Sequence, residues 1–240
     1  DNLLIVDTSA PVNPTLVGNW DPNDISVIET GARFDVVGNY AYVLGNDSDN
    51  MAIVDISNPT SPTTTGNWDP NDTGVMEEPA HVRVSGNYAY VLGGLSYNMA
   101  IVDISDPTNP VMVGNWDTGE VLGVAGIEVV GNYAYVAGAS SNDFLVIDVS
   151  DPTNPITVGE ETSVTNVQRA MTVSGNRAYV SGASNDEVVI IDISDPTNPL
   201  ELATWAPTDT NEMEEPRTIK IVGDYMYVVG EASNNVAVVD

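Results

Sequence analysis

GNYAYVLGGLSYNMAIVDISDPTNP, residues 86–110, recurs along this 240-residue chain in copies that leave little outside the pattern. Two landmarks set the copies in register: the glycine of a G-N-Y or related turn, at Gly38, Gly86, Gly131, Gly175 and Gly223, and the aspartate closing an I-V-D strand, at Asp7, Asp55, Asp103, Asp148, Asp192 and Asp240. The interval from each glycine to its aspartate never varies, as in Gly38 to Asp55 and Gly223 to Asp240, and each aspartate is followed at constant spacing by a turn proline: Pro14, Pro62, Pro110, Pro155 and Pro199. All length variation is confined to the stretch from that proline to the next glycine. The resulting period, roughly 44–48 residues, is typical of a propeller blade or another repeat array.

Within one unit the signals read as four short strands. In the second complete copy they are His81 to Ser85, Tyr88 to Leu92, Met99 to Ile104 and Val111 to Trp116. Gly86-Asn87 joins the first two strands as a tight hairpin, and SDPTNP separates the last two, with Asp106 placed to cap its own backbone. Four-stranded antiparallel units at this period, joined by longer connections, describe an all-β β-propeller in a single domain, residues 1–240, five-bladed if it closes and larger if the chain is excised from a longer array. An open β-solenoid fits less well, because its coils are shorter and lack the repeated hairpin.

Composition narrows the partners. Thirty-five acidic residues against six basic ones leave a net charge of −29, which argues against nucleic acid and anionic membrane surfaces. No apolar run approaches the ~20 residues of a membrane helix, so direct membrane insertion is not expected. The chain has no cysteine and hence no disulfide or thiol chemistry. Its abundance of Asn, Thr, Asp and Gly, with one lysine, suits a secreted or salt-exposed surface.

IVDIS, VIDVS and IIDIS, with GNYAYV and DPTNP at fixed spacing, closely resemble the LVIVD-repeat family of bacterial and archaeal surface proteins. The resemblance covers nearly the whole chain. It implies a β-propeller and an extracellular or cell-envelope location, and it carries no assigned activity from which catalytic residues could be transferred.

Residues that repeat are read first as structural. Tyr42, Tyr90, Tyr135, Tyr179 and Tyr227 belong to the second strand and suit packing between blades. Trp20, Trp68, Trp116 and Trp205 occupy the fourth strand, with Glu161 at the equivalent place in the remaining unit. Function is sought where the repeats differ, in the connections to each first strand, two of which share M-E-E-P. Glu29, Glu77, Glu78, Glu214 and Glu215 lie there with Arg33, His81, Arg83, Arg169, Arg217 and Lys220, so of the chain's basic residues only Arg177 lies elsewhere. Gathered at a channel mouth, these groups would bind a ligand or partner, or form salt bridges among solvated loops.

No G-x-S-x-G, H-E-x-x-H or Gly-rich phosphate loop is present, and a lone His81 cannot build a multi-histidine metal site, although it could act as a general base. Asp21 and Asp24, Asp47 and Asp49, and Asp69 and Asp72 offer closely spaced oxygen ligands for Ca²⁺, but also suit ordinary Asx turns. The sequence therefore leads to the expectation of a non-enzymatic extracellular or cell-surface module that meets a protein partner or self-assembles by terminal strand addition. The alternative is an enzyme or small-ligand binder with paired glutamates as acid and base and arginines holding an anion.

Overall fold

The computed structural model describes residues 2–22, 31–70, 76–96, 98–117, 124–138, 143–162, 167–182, 186–208, 214–230, 233 and 235–240. Six antiparallel sheets follow one another along the chain. The first has two strands, β1 (Leu3–Asp7) and β2 (Thr15–Trp20). The second contains β3 (Gly31–Val37), β4 (Tyr40–Gly45), β5 (Asn50–Asp55) and β6 (Thr63–Trp68). The third contains β7 (Pro79–Ser85), β8 (Tyr88–Gly93), β9 (Asn98–Asp103) and β10 (Val111–Asp117). The fourth is built from β11 (Val124–Val130), β12 (Tyr133–Gly138), β13 (Phe144–Asp148) and β14 (Ile156–Glu161). The fifth is built from β15 (Val167–Ser174), β16 (Arg177–Gly182), β17 (Glu187–Asp192) and β18 (Leu200–Trp205). The last has three strands, β19 (Pro216–Val222), β20 (Tyr225–Gly230) and β21 (Asn235–Val239).

Six sheets replace the five blades that closure would have required. The reason lies at the two ends, where β1 and β21 are both copies of a third strand. β21 takes the place beside β20, from Met226 opposite Val239 to Gly230 opposite Asn235, while β1 pairs with β2 in a separate sheet. First strands also start earlier than the apolar pattern suggests. Pro79 already pairs with Gly93, and the register shifts before His81 pairs with Leu92.

The hairpin signal is realised as read. Gly86 has φ +59° while Asn87 is not in the positive region, the arrangement of a type II′ turn, which suits the right-handed twist of paired strands. The Asn87 carbonyl then accepts the Ile104 amide at 2.8 Å, tying the turn to the end of β9. In the next turn Asp106 accepts hydrogen bonds from the Thr108 hydroxyl and amide, and Asp103 from the Ser105 amide. Both carboxyls are held below the ordinary 3.8 by these bonds.

Two compact units form, Asp1–Asn115 and Trp116–Asp240, and one stacking rule operates in each. In the first unit, Tyr42, Leu44, Met51 and Ile53 on one face of β4–β5 pack against Val82, Ala89, Val91, Ala100 and Val102 on β7–β9. In the second unit the register-equivalent Tyr135, Ala137, Phe144 and Val146 meet Met171, Ala178, Val180, Val189 and Ile191. Tyr42 and Met51 in the first unit, and Tyr135 and Phe144 in the second, thus meet a facing layer that is mostly small or β-branched, with Met171 the exception. Because both faces are covered, second and third strands read as continuous apolar runs.

Small residues allow the close stacking of outer strands. A Cβ at Gly18 or Gly66 in the first unit, or at Gly159 in the second, would meet the carbonyl oxygen of Pro59, Pro107 or Pro196 in the following sheet's turn. Trp20 and Trp68, two residues after Gly18 and Gly66, are buried, as is Trp116 on β10. Trp20 Nε1 donates to Thr64 Oγ1, and Trp116 Nε1 to Thr157 Oγ1.

Candidate functional site

The first unit brings three of the expected basic residues together. Arg33 on β3 and His81 on β7 hold the same position in successive first strands, five residues before their turn glycines, and Arg83 lies two residues further along β7. His81 is 8 % exposed, and among the described residues no group hydrogen-bonds its imidazole. Burial above all, and then the Arg33 and Arg83 guanidiniums, lower its pKa from the ordinary 6.5 to about 3, so the imidazole is neutral at physiological pH. Buried polar side chains in proteins are ordinarily hydrogen-bonded, which singles His81 out among the candidate residues.

Asp35, absent from the expected site residues, fixes the spacing of the two strands. Its Oδ2 accepts the Val84 amide of β7 at 2.8 Å and its Oδ1 accepts the adjacent Val36 amide at 2.9 Å. The carboxylate therefore pins β3 to β7 beside the cationic cluster. The one signal that could have revealed it is its place three residues before Gly38, where Arg83 stands in the next repeat. Arg83 itself directs Nη1 to the Val82 carbonyl at 3.1 Å.

The E-E-P parts of the two M-E-E-P segments, Glu77–Pro79 and Glu214–Pro216, make matching backbone contacts, one in each unit. Glu77 and Glu78 are exposed, and their amides donate to Ser96 Oγ at 3.1 Å and Asp49 Oδ1 at 2.7 Å. Glu214 and Glu215 are half-buried, with amides donating to Ser233 Oγ at 3.1 Å and Asp186 Oδ1 at 2.8 Å. Glu78 and Glu215 both have positive φ, +49° and +51°, as do the aspartates that hold them. What repeats is a backbone clamp between the loop after the second strand of one sheet and the entry to the next.

Arg217 and Lys220 are exposed on β19. Arg169 belongs to β15, but its side chain is outside the described residues, as are Glu29, Asp24 and Asp72 altogether. Of the expected calcium ligands, Asp21, Asp47 and Asp69 are exposed, and Asp49 is engaged with the Glu78 amide. Among the described residues no three acidic or histidine side chains form a metal-binding group.

The second unit holds a cleft of about 410 Å³ lined by Arg177, Tyr179, Trp205, Tyr225 and Asp240, among others. It was not anticipated. Its signal was Arg177, which stands where the other copies have Tyr40, Tyr88, Tyr133 and Tyr225.

No curated protein matches the chain. Solved structures do. A candidate 6-phosphogluconolactonase from Bacteroides uniformis aligns with TM-score 0.78 at 14% identity over 98% of this chain and 72% of its own. The periplasmic gluconolactonase of Pseudomonas aeruginosa aligns with TM-score 0.69 at 12% identity, over 94% and 69%. A functionally unknown protein from Desulfotomaculum acetoxidans gives 0.72 at 13%, over 94% and 72%. At these identities the likeness extends to the fold alone, which is propeller-like. It nonetheless overturns the expectation of a non-enzymatic module, which rested on the absence of familiar motifs, because proteins named as lactonases share this architecture. The LVIVD repeat matches residues 1–22, 33–69, 80–118, 123–162 and 169–205, and with the sheets repeating in that same register, the chain belongs to the LVIVD repeat family.

Proposed function

We propose that the chain binds a small anionic ligand of the sugar-acid class at Arg33, His81 and Arg83, and opens a lactone of that class with water. The observation that carries this is the His81 imidazole, buried, neutral and without a hydrogen-bond partner among the described residues, beside two guanidiniums in a chain of net charge −29. The arginines favour a carboxylate or phosphate and the negative charge that develops on a carbonyl oxygen under attack. A ligand anion also raises the basicity of the imidazole, which the guanidiniums depress in its absence. In the reaction, a water oxygen adds to the lactone carbonyl carbon as its proton passes to His81. The ring C–O bond then breaks, the proton returns to the departing oxygen, and a hydroxy acid leaves. Lactonases among the proteins of similar fold support the choice of substrate class.

Acid release from glucono-δ-lactone and 6-phosphoglucono-δ-lactone, followed above the spontaneous rate, tests the reading. His81→Gln is expected to lower kcat, and Arg33→Gln or Arg83→Gln to raise KM. A wild-type protein that accelerates neither lactone overturns the reaction; one that also shows no heat of binding with 6-phosphogluconate overturns the site. We further propose that the protein works outside the cell or at its surface, a reading supported by its acid-rich, lysine-poor composition.

A further inference from the structure

The entry to β7 is held from two sides, and His81 stands just beyond it. Within the third sheet, the Gly94 and Leu95 amides donate to the Glu78 and Glu77 carbonyls at 2.7 and 3.2 Å, and Ser96 Oγ accepts the Glu77 amide. From the second sheet, Asp49 Oδ1 accepts the Glu78 amide at 2.7 Å. Asp49 and Glu78 both lie in the left-handed region, at φ +52° and +49°. Two non-glycine residues in that region, bonded to each other across two sheets, persist only where their surroundings enforce them, and such strain gathers at functional sites.

The clamp is followed by a bulge. Pro79 pairs with Gly93 and His81 with Leu92, so Ala80 is one residue more than the partner strand supplies. Side chains alternate along a strand, and one extra residue therefore decides which face of β7 carries the imidazole. Strand ends are also where pairing opens first. His81 belongs to the second pair from the start of β7 and is nevertheless only 8 % exposed, which a fraying end would not permit.

We infer, on the reading of the site proposed above, that Asp49 is a positioning residue for His81: by holding the Glu78 amide it fixes the start of β7 and its bulge, and so keeps the imidazole where it meets the ligand. Asp49 lies between β4 and β5, in the sheet whose β3 carries Arg33, so one carboxylate ties the strand of the imidazole to the sheet of the guanidinium. The second unit contains a control made by the repeat. Asp186 holds the Glu215 amide in the same way, and Pro216 pairs with Gly230 before Thr218 pairs with Val229, but the residue in the place of His81 is Thr218. The clamp is common to both units, and only in the first does it position an imidazole.

Asp49→Gly removes the acceptor without strain at a φ of +52°, and Asp49→Asn keeps an acceptor there. With glucono-δ-lactone, Asp49→Gly is expected to lower kcat about 10-fold or more with KM within about twofold of wild type. Asp49→Asn is expected to restore kcat, and Asp186→Gly to leave both constants unchanged. The chain holds one histidine, so the imidazole signals of a proton–nitrogen NMR spectrum report His81 alone. They are expected to shift in Asp49→Gly and to keep their wild-type positions in Asp49→Asn and Asp186→Gly. A folded Asp49→Gly protein with unchanged imidazole signals overturns the inference, as does one with wild-type kcat where the wild type is active, or an equal shift in Asp186→Gly. A wild type that opens neither lactone removes the reaction alone, and the imidazole signals then decide whether Asp49 positions His81. If Asp49→Gly does not fold, Ser96→Ala, which releases the Glu77 amide from the same clamp, is read by the same signals with the same two outcomes.

Discussion

The indole of Trp20 on β2 donates to the hydroxyl of Thr64 on β6 at 3.0 Å, and Trp116 on β10 repeats the bond to Thr157 on β14 at 2.9 Å. A fourth-strand tryptophan is therefore sealed by the fourth strand of the following sheet, and this explains why residues on an outer strand are as buried as the core. Thr64→Val keeps the shape of the side chain and removes the acceptor, leaving a buried N–H unpaired. The expected loss is about 1–2 kcal/mol in urea unfolding with an unchanged m-value.

Gly66 lies under the Pro107 carbonyl, and an added methyl would meet backbone that cannot swing aside. Gly66→Ala is expected to destabilise by about 1–3 kcal/mol, read as a lowered melting midpoint. Gly159→Ala should behave alike against Pro196.

Glu78 and Glu215 hold φ near +50°. Glycine adopts that region without strain, so Glu78→Gly should cost little or stabilise by up to about 1 kcal/mol, despite the added freedom of the unfolded chain. Asp49→Ala removes the acceptor that holds the Glu78 amide and should destabilise instead. Paired chemical melts separate the two effects by sign.

His81 gives the fold a pH dependence whose direction is set by its lowered pKa. Unfolded, the imidazole takes a proton near its ordinary 6.5; folded, it resists until about 3. Between those values the unfolded state binds more protons, so stability is fully present above 6.5 and declines as pH falls towards 3. His81→Leu should flatten the melting midpoint across the upper part of that window. A slope identical to wild type would show that carboxylates alone cause the decline.

A net charge of −29 makes the folded chain repel itself, and added salt screens the repulsion. Melting midpoints should therefore rise with ionic strength, measured in a series of sodium chloride concentrations at one protein concentration. An unchanged or lower midpoint at high salt would show that the carboxylates are already neutralised within the fold.

What the sequence determined by itself is the repeat and its local geometry. The constant interval from Gly86 to Asp103 places three strands in register, Gly86-Asn87 needs one positive φ, and the Asp106-Pro-Thr108 turn closes on its own carboxylate. These features depend on neighbours in the chain, and so can be read along it. Tyr90 and Trp116 were likewise legible as packing residues because they recur. Only tertiary structure decided that β21, and not β1, stands beside β20, since two near-identical strands carry the same local preference and differ only in what they meet. It also decided that His81 is buried beside Arg33 while Asp35 spans to Val84. Those residues are about 48 positions apart in sequence, a separation that one repeat period converts into a contact between adjacent strands, and the burial and charge that set their chemistry exist only once the sheets have stacked.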